Sequence, residues 1–317
     1  MLVRLSPRLL TTTSLQLRAA STSTLVDRVK IEGKSLRELV PVYLTLSKYR
    51  LSALVALTTA AGYLASPAPV SMFTLSSCMV GTSLCIASAN SINQYIEIEH
   101  DKKMMRTKNR PLPTDTISPS HALGFGLASG LSGSLMLYSL VNPLTAALGF
   151  GNILLYTLAY TPLKRISPIN THVGAVVGAI PPIMGWTAAT GAIGAGSMSL
   201  AYLLFVWQLP HFYSLSFSLH ADYAAAGYKM LVQEEDGNRK VSDAVVFWSK
   251  TAFAVPVISV LTGVANPWFL VDGTFLNGYM LLKSMQFQED KDKESARELF
   301  MATLWYLPGM LGLMLWH

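Results

Sequence analysis

Between residues 90 and 113 the chain reads NSINQYIEIEHDKKMMRTKNRPLP. Asn93, Glu97 and Asp101 recur at every fourth position. On a helix each such step turns about 400°, so all three oxygen-bearing side chains project from nearly one face over about 12 Å. Mg²⁺ prefers hard oxygen donors, keeps several waters, and is usually held by one or two carboxylates plus a substrate phosphate. The spacing suits that task. Glu99, two residues beyond Glu97, points elsewhere. Arg106, Lys108 and Arg110 follow, cationic donors of the kind that grip phosphate oxygens and stabilise negative charge developing on a leaving group. The competing reading is a helix end whose charges are merely solvated.

A second polar segment, VWQLPHFYSLSFSLHADYAAAGYKML at 206–231, carries His211 in an otherwise apolar run and Asp222 about three turns later. An ionisable side chain at membrane depth is a functional candidate by default, against the alternatives of a neutral, backbone-bonded His211 and an Asp222 that only solvates a helix end. A third segment, YTPLKRISPINTHVGAVVGAIPPIMGW at 160–186, supplies Lys164 and Arg165, then Gly174, Gly178, Pro181, Pro182 and Gly185. Small residues let helices approach closely, and adjacent prolines favour a helix that lines a cavity. Two acidic clusters with basic residues between them are what two metal ions bridging a diphosphate require. The residues thus predict a membrane-embedded diphosphate site. Asp272 is given no role.

The elements that must position these residues follow from composition. Of 317 residues, 51% are hydrophobic and 13% are Asp, Glu, Lys or Arg, about half the roughly 25% usual in soluble domains. At about 20 residues per crossing, the apolar runs predict an all-α polytopic membrane protein. Its nine transmembrane helices are expected at 47–66, 72–96, 120–141, 144–161, 171–190, 197–217, 244–264, 267–285 and 298–316, around a central cavity. Lys and Arg fall in the leader, before the first run or near alternate loops, whereas the loops near Pro67, Asn142, Gly191 and Asn266 hold none. That asymmetry sets orientation. The formal charge of +6 is therefore topological, and nucleic acid is excluded as a partner. Cys78 and Cys85 lie within one apolar run without metal-site spacing and read as packing residues.

Residues 1–26 contain Arg4, Arg8 and Arg18, many hydroxyls and no acid, the composition of a mitochondrial transit peptide. A basic-side N-terminal segment is expected at 27–46 and the membrane domain at 47–316. With such a leader, the basic face would be the matrix face of the inner membrane.

Four separated motifs now carry a resemblance. They are the Asn93, Glu97, Asp101 spacing with Arg106-Thr107-Lys108-Asn109-Arg110-Pro111, the turn from Tyr160 to Arg165, the run from Trp207 to Phe212, and Asp222-Tyr223 with Gly227. Together, over about residues 42–316, they resemble the protohaem IX farnesyltransferases within the wider UbiA-type family of intramembrane prenyltransferases. The resemblance implies farnesyl diphosphate and haem B as substrates and haem O as product, on the way to haem A for cytochrome c oxidase. It implies Mg²⁺ held by Asn93, Glu97, Asp101 and Asp222, and a diphosphate held by Arg106, Lys108, Arg110 and Lys164. His211, Tyr160 and Trp207 are candidates for the haem or the cavity wall, and Tyr95 and Tyr156 join Tyr160 and Trp207 as rings that could shield a cation. A hand-over to haem A synthase and a homo-oligomer are the partners considered besides the lipid bilayer. Two positions depart from the wider family. Glu97 stands where Asp is usual, and Ala226 stands four residues after Asp222 where an acid is expected, leaving His220 or Ser218 to contribute. The competing readings are polyprenyl transfer to an aromatic acid, an anion transporter, and an assembly factor without chemistry.

Overall fold

The computed structural model describes residues 35–317. The leader expected at 1–26 lies outside the described residues, as does the start of the segment expected at 27–46. Every regular element among the described residues is helical, as the all-α reading requires. In order they are α1 (Leu36–Leu46), α2 (Tyr49–Leu64), α3 (Met72–Ile96), α4 (Ile98–Asp101), α5 (Pro119–Leu140), α6 (Pro143–Leu163), α7 (Asn170–Thr190), α8 (Ala195–Ser218), α9 (His220–Ala226), α10 (Gly237–Leu261), α11 (Phe269–Asp290) and α12 (Lys293–Trp316).

Helix starts follow local chemistry. The Asn142 side chain accepts from the Thr145 N–H at 2.8 Å, and Pro143 takes the first helical position, where its missing N–H leaves nothing unpaired. Asp292 caps α12 in the same way through the Ser295 N–H at 2.8 Å.

Six helices, α3, α5, α6, α7, α10 and α12, are long and apolar enough to cross a membrane. The other three expected crossings coincide with α2, α8 and α11 and fall short for physical reasons. Helix α2 has only 16 residues, α8 carries Gln208, Pro210 and His211, and α11 carries Asp272 and Asn277. By length and apolarity, six crossings and not nine are met among the described residues. Helix α10 also begins before the expected position 244, because a polar turn at Asn238, Arg239 and Lys240 continues the same helix beyond the apolar run.

The surface is turned inside out relative to a soluble bundle. Phe275 (80% exposed), Leu261 (81%) and Trp305 (78%) point outward, while Asn90, Gln94, Thr145, Asn277 and Thr303 are buried. Lipid explains both, since apolar side chains lose nothing by facing acyl chains and polar ones gain from bonding between helices. Helix α2 packs on α7, α3 on α5, and α8 against α7 and α12. The α2–α7 contact is backbone on backbone: a Cβ at Gly62 would strike the Pro182 carbonyl, and one at Gly185 would strike the Thr59 carbonyl. Only glycine admits that approach.

Two irregularities shape the interior. Pro181 has no N–H, so the Val177 carbonyl loses its helical donor, and Asn152 Nδ2 donates to it from α6 at 3.2 Å. Within α6, residues Leu155–Tyr160 form a π-helical turn, and Thr161 Oγ1 donates to the Tyr156 carbonyl at 2.8 Å. Such bulges re-aim side chains and cluster at functional sites.

Candidate active site

A cavity of about 300 Å³ lies between α2, α3, α6, α7 and α8. Helix α3 lines it from Thr82 to Asn93, about 16 Å along the helix axis, and the line continues through Glu97 and Asp101. Its inner wall is apolar, built from Cys85, Ile86, Ile153, Pro181 and Met184. Its polar end presents Lys48, Asn93, Glu97, Asp101, Arg106, Arg110 and Lys164. Four basic side chains thus face two carboxylates, so the polar end favours an anion.

Helix α3 formally ends at Ile96, yet Glu97 N–H still donates to the Asn93 carbonyl at 3.0 Å and Asp101 N–H to the Glu97 carbonyl at 2.8 Å. Helical spacing survives the break, and all three side chains line one wall, as their sequence spacing requires. Asn93 donates through Nδ2 to Thr161 Oγ1 at 3.1 Å and accepts at Oδ1 from Lys48 Nζ at 3.3 Å. Glu97 accepts from Lys164 Nζ with both carboxylate oxygens, at 2.9 and 3.2 Å. Burial alone would raise the Glu97 carboxyl, but the charge and hydrogen bond of Lys164 outweigh it and hold the group below its ordinary value. Lys164 is raised well above its ordinary value, burial being overcome by Glu97 and the Tyr160 and Tyr156 rings. Arg110 holds Asp101 Oδ2 at 2.7 Å.

Aromatic faces close the mouth. Lys164 Nζ sits 4.6 Å from the Tyr160 ring centroid and 5.6 Å from that of Tyr228. The π turn brings Tyr156 and Tyr160 into the lining with centroids 5.1 Å apart. The segment after α9 is fixed over the same end: His100 Nδ1 lies 2.7 Å from the Ala226 carbonyl, and the Lys229 N–H donates to the Lys164 carbonyl at 2.6 Å.

An amphipathic cavity of this shape, inside a helical bundle, is a site for a molecule with an anionic head and an apolar tail. Residues 54–307, most of the chain, match the UbiA prenyltransferase family. The chain belongs to that family. Among its relatives are two proteins called protoheme IX farnesyltransferase, mitochondrial. The one from Homo sapiens is 46% identical over 275 residues, covering 85% of this chain and 60% of the relative. The one from Arabidopsis thaliana is 41% identical over 279 residues, covering 87% and 64%. This chain therefore spans less than two thirds of either relative's length. Solved members of the fold include a digeranylgeranylglyceryl phosphate synthase, with a TM-score of 0.74 at 16% identity over 88% of this chain and 98% of that one. A UbiA homologue from Archaeoglobus fulgidus bound to DMAPP and Mg²⁺ has a TM-score of 0.63 at 14% identity over 86% and 98%.

Within this UbiA-family chain, Asn93, Glu97, Asp101, Arg106, Arg110, Lys164, Tyr156 and Tyr160 come together at the cavity, whereas Lys108, Asp222, Trp207, His211 and Tyr95 do not. Lys108 is exposed, its Nζ 3.4 Å from the Met105 sulfur. Asp222 stands outside the lining although its neighbour Tyr223 is within it. Trp207 and His211 face α12: Trp207 Nε1 donates to the Thr303 carbonyl at 2.7 Å, and His211 Nδ1 lies 2.8 Å from Thr303 Oγ1. His211 also stacks between Trp207 and Phe300, centroids 5.0 and 4.6 Å away. Tyr95 is 38% exposed and also outside the lining. The lining residues that sequence reasoning left without a role include Lys48, Asn152 and Tyr228. Of these, Tyr228 could have been found from its place one residue beyond Gly227 in a motif already singled out.

Proposed function

We propose that this chain is a mitochondrial multi-pass membrane enzyme that transfers the farnesyl group of farnesyl diphosphate to a vinyl group of protohaem IX, giving haem O. The observation that carries the reading is the cavity itself, which runs about 16 Å along α3 from a polar, basic end toward a largely apolar inner wall, in a chain whose mitochondrial relatives bear the name of that activity. We place the cationic end at the matrix face, where the basic loops gather.

Asn93, Glu97 and Asp101 offer an amide and two carboxylates on one wall, an all-oxygen donor set that fits Mg²⁺. When bound, Mg²⁺ supplies positive charge to the leaving diphosphate. Among the described residues no three His, Cys, Asp or Glu side chains gather into a metal cluster. Asp222 is outside the lining and Ala226 has no donor, so the residues do not fit a second metal.

The chain's own groups account for the rest. Arg106, Arg110 and Lys164 take diphosphate oxygens and absorb charge as the allylic C–O bond breaks. The Tyr156, Tyr160 and Tyr228 faces shield the allylic cation, and the apolar inner wall keeps water from it until the haem vinyl carbon attacks. The cation then left beside the macrocycle takes one water and loses a proton, which yields the hydroxyethylfarnesyl group and free diphosphate. We further propose that haem O passes directly to haem A synthase and that the chain acts as a homo-oligomer.

The test is incubation of purified protein in detergent with Mg²⁺, farnesyl diphosphate and reduced haem B, read by mass. A Mg²⁺-dependent haem O product is expected. Prenylation of an aromatic acid with haem untouched would move the chain to another branch of the family, and folded protein that releases no diphosphate with any acceptor would overturn the enzymatic reading.

A further inference from the structure

Gln208 brings an amide into the cavity wall from an otherwise apolar stretch of α8. The residue is only 6% exposed, and its donor end is committed. Nε2 donates to the Ala175 carbonyl of α7 at 3.1 Å and to the Leu204 carbonyl of its own helix at 2.9 Å. An amide nitrogen carries two N–H bonds, so the group cannot turn over without breaking both of these contacts. Oε1 is the atom left to face the chamber, and among the described residues no donor bonds to it. Glycine makes room for that oxygen: a Cβ at Gly178 would strike Oε1. Gly178 also fixes the depth. One turn earlier, a Cβ at Gly174 would meet the Tyr160 ring, so Gln208 Oε1 lies about 6 Å farther along α7 than a ring assigned to the allylic cation.

A buried acceptor without a donor is costly, and the reactants narrow what can complete this one. The diphosphate and the ionised haem propionates offer acceptors, the porphyrin nitrogens hold iron, and the farnesyl chain has no polar atom. Water is the reactant that donates. We propose that Gln208 holds, through Oε1, the water that adds to the haem side chain, as a positioning residue for the last step of the reaction. This rests on the haem O reading above. Once the first farnesyl carbon has bonded to the outer vinyl carbon, positive charge stands on the vinyl carbon next to the macrocycle. The water on Gln208 gives that carbon a lone pair and forms the C–O bond, and its proton passes to the released diphosphate, the most basic anion in the chamber. Gln208 itself takes no proton. It fixes where the water stands, a turn away from the allylic carbon that stray water would hydrolyse.

Without a placed water the same cation has another exit: it loses a proton from the adjoining CH₂ and becomes an alkene, lighter than haem O by one water. The experiment reads that branch by mass. The full chain in detergent is given Mg²⁺, farnesyl diphosphate and reduced haem B, with diphosphate release followed in parallel and the unfolding midpoint recorded for each variant. Gln208→Leu removes the oxygen, and Gly178→Ala displaces it while Gln208 stays in place. Each is expected still to release diphosphate and to raise the ratio of alkene to haem O by about tenfold or more, the cost of a misplaced reactant. Weakened packing alone lowers total product without moving that ratio. An unchanged ratio in a folded variant overturns the proposal. So does a folded variant that releases no diphosphate, because Gln208 would then act before water adds. Wild-type protein that makes no product from haem removes the haem O reading itself, an outcome distinct from an unchanged ratio.

Discussion

Asn152 on α6 donates its side-chain N–H to the Val177 carbonyl on α7 at 3.2 Å, replacing the backbone donor that Pro181 lacks. One side chain thereby satisfies the carbonyl that Pro181 leaves open within a continuous α7, and it also lines the cavity. Asn152→Leu leaves that acceptor unpaired in an apolar setting. A loss of about 1–3 kcal/mol is expected, read as a lower unfolding midpoint in detergent, and an unchanged midpoint would show that the carbonyl finds another donor.

Removing one partner of the Lys164–Glu97 pair should cost more than removing both. Their side chains are 14% and 6% exposed, so Lys164→Met strands a buried carboxylate, at about 3–5 kcal/mol. Adding Glu97→Gln to Lys164→Met should recover most of that stability and none of the turnover. A double variant no more stable than Lys164→Met would argue that the pair does not act as a unit.

The same pair sets a pH dependence. Glu97 is depressed in the folded chain, so the pair's stabilisation is present above the ordinary glutamate value of about 4.3 and is lost as pH falls through the lower folded value. Lys164 is raised and stays charged across this range. Wild-type protein should therefore hold its unfolding midpoint from pH 7 to about 5 and lose it below about 4, and the Lys164→Met, Glu97→Gln double variant should lose less over the same interval.

Asp101→Ala and Asn93→Ala should each abolish haem O formation, by about a hundredfold or more, while the protein still inserts into membranes. Chelation of Mg²⁺ from the wild type should give the same loss, reversed by adding the ion back. Wild-type product from either variant would remove the metal assignment.

The α2–α7 contact makes a prediction away from the chemistry. Gly185→Ala places a methyl against the Thr59 carbonyl, and overpacking of this kind costs about 1–3 kcal/mol. Gly151→Ala on α6, whose Cβ would meet nothing nearby, is the matched control. Equal yields of folded protein from the two would show that α2 and α7 can separate without penalty.

The membrane segments were legible because lipid demands long apolar runs, and α3 was placed to the residue at 72–96. The acidic spacing was legible because helical hydrogen bonds persist through Glu97. Which face of α8 looks inward was not. Gln208 and Phe212 line the cavity, whereas Trp207 and His211, each one residue earlier, face α12. A single step is about 100° of rotation, and in a helix apolar on nearly every side no hydrophobic pattern says which pair turns in. The π turn at Leu155–Tyr160 was hidden for a related reason, since one extra residue per turn leaves composition unchanged. Lys48 read as a topological charge because its place in the cavity lining depends on a joint held by side chains 42 to 46 residues away, at Asn90, Asn93 and Gln94.

All the cavity-lining side chains fall between Lys48 and Met230. Helices α10, α11 and α12, which follow in the chain, line none of it. Those last helices instead pack against the outer side of α8, in part through Thr303. Position along the chain thus separates the helices that line the cavity from the helices that brace them.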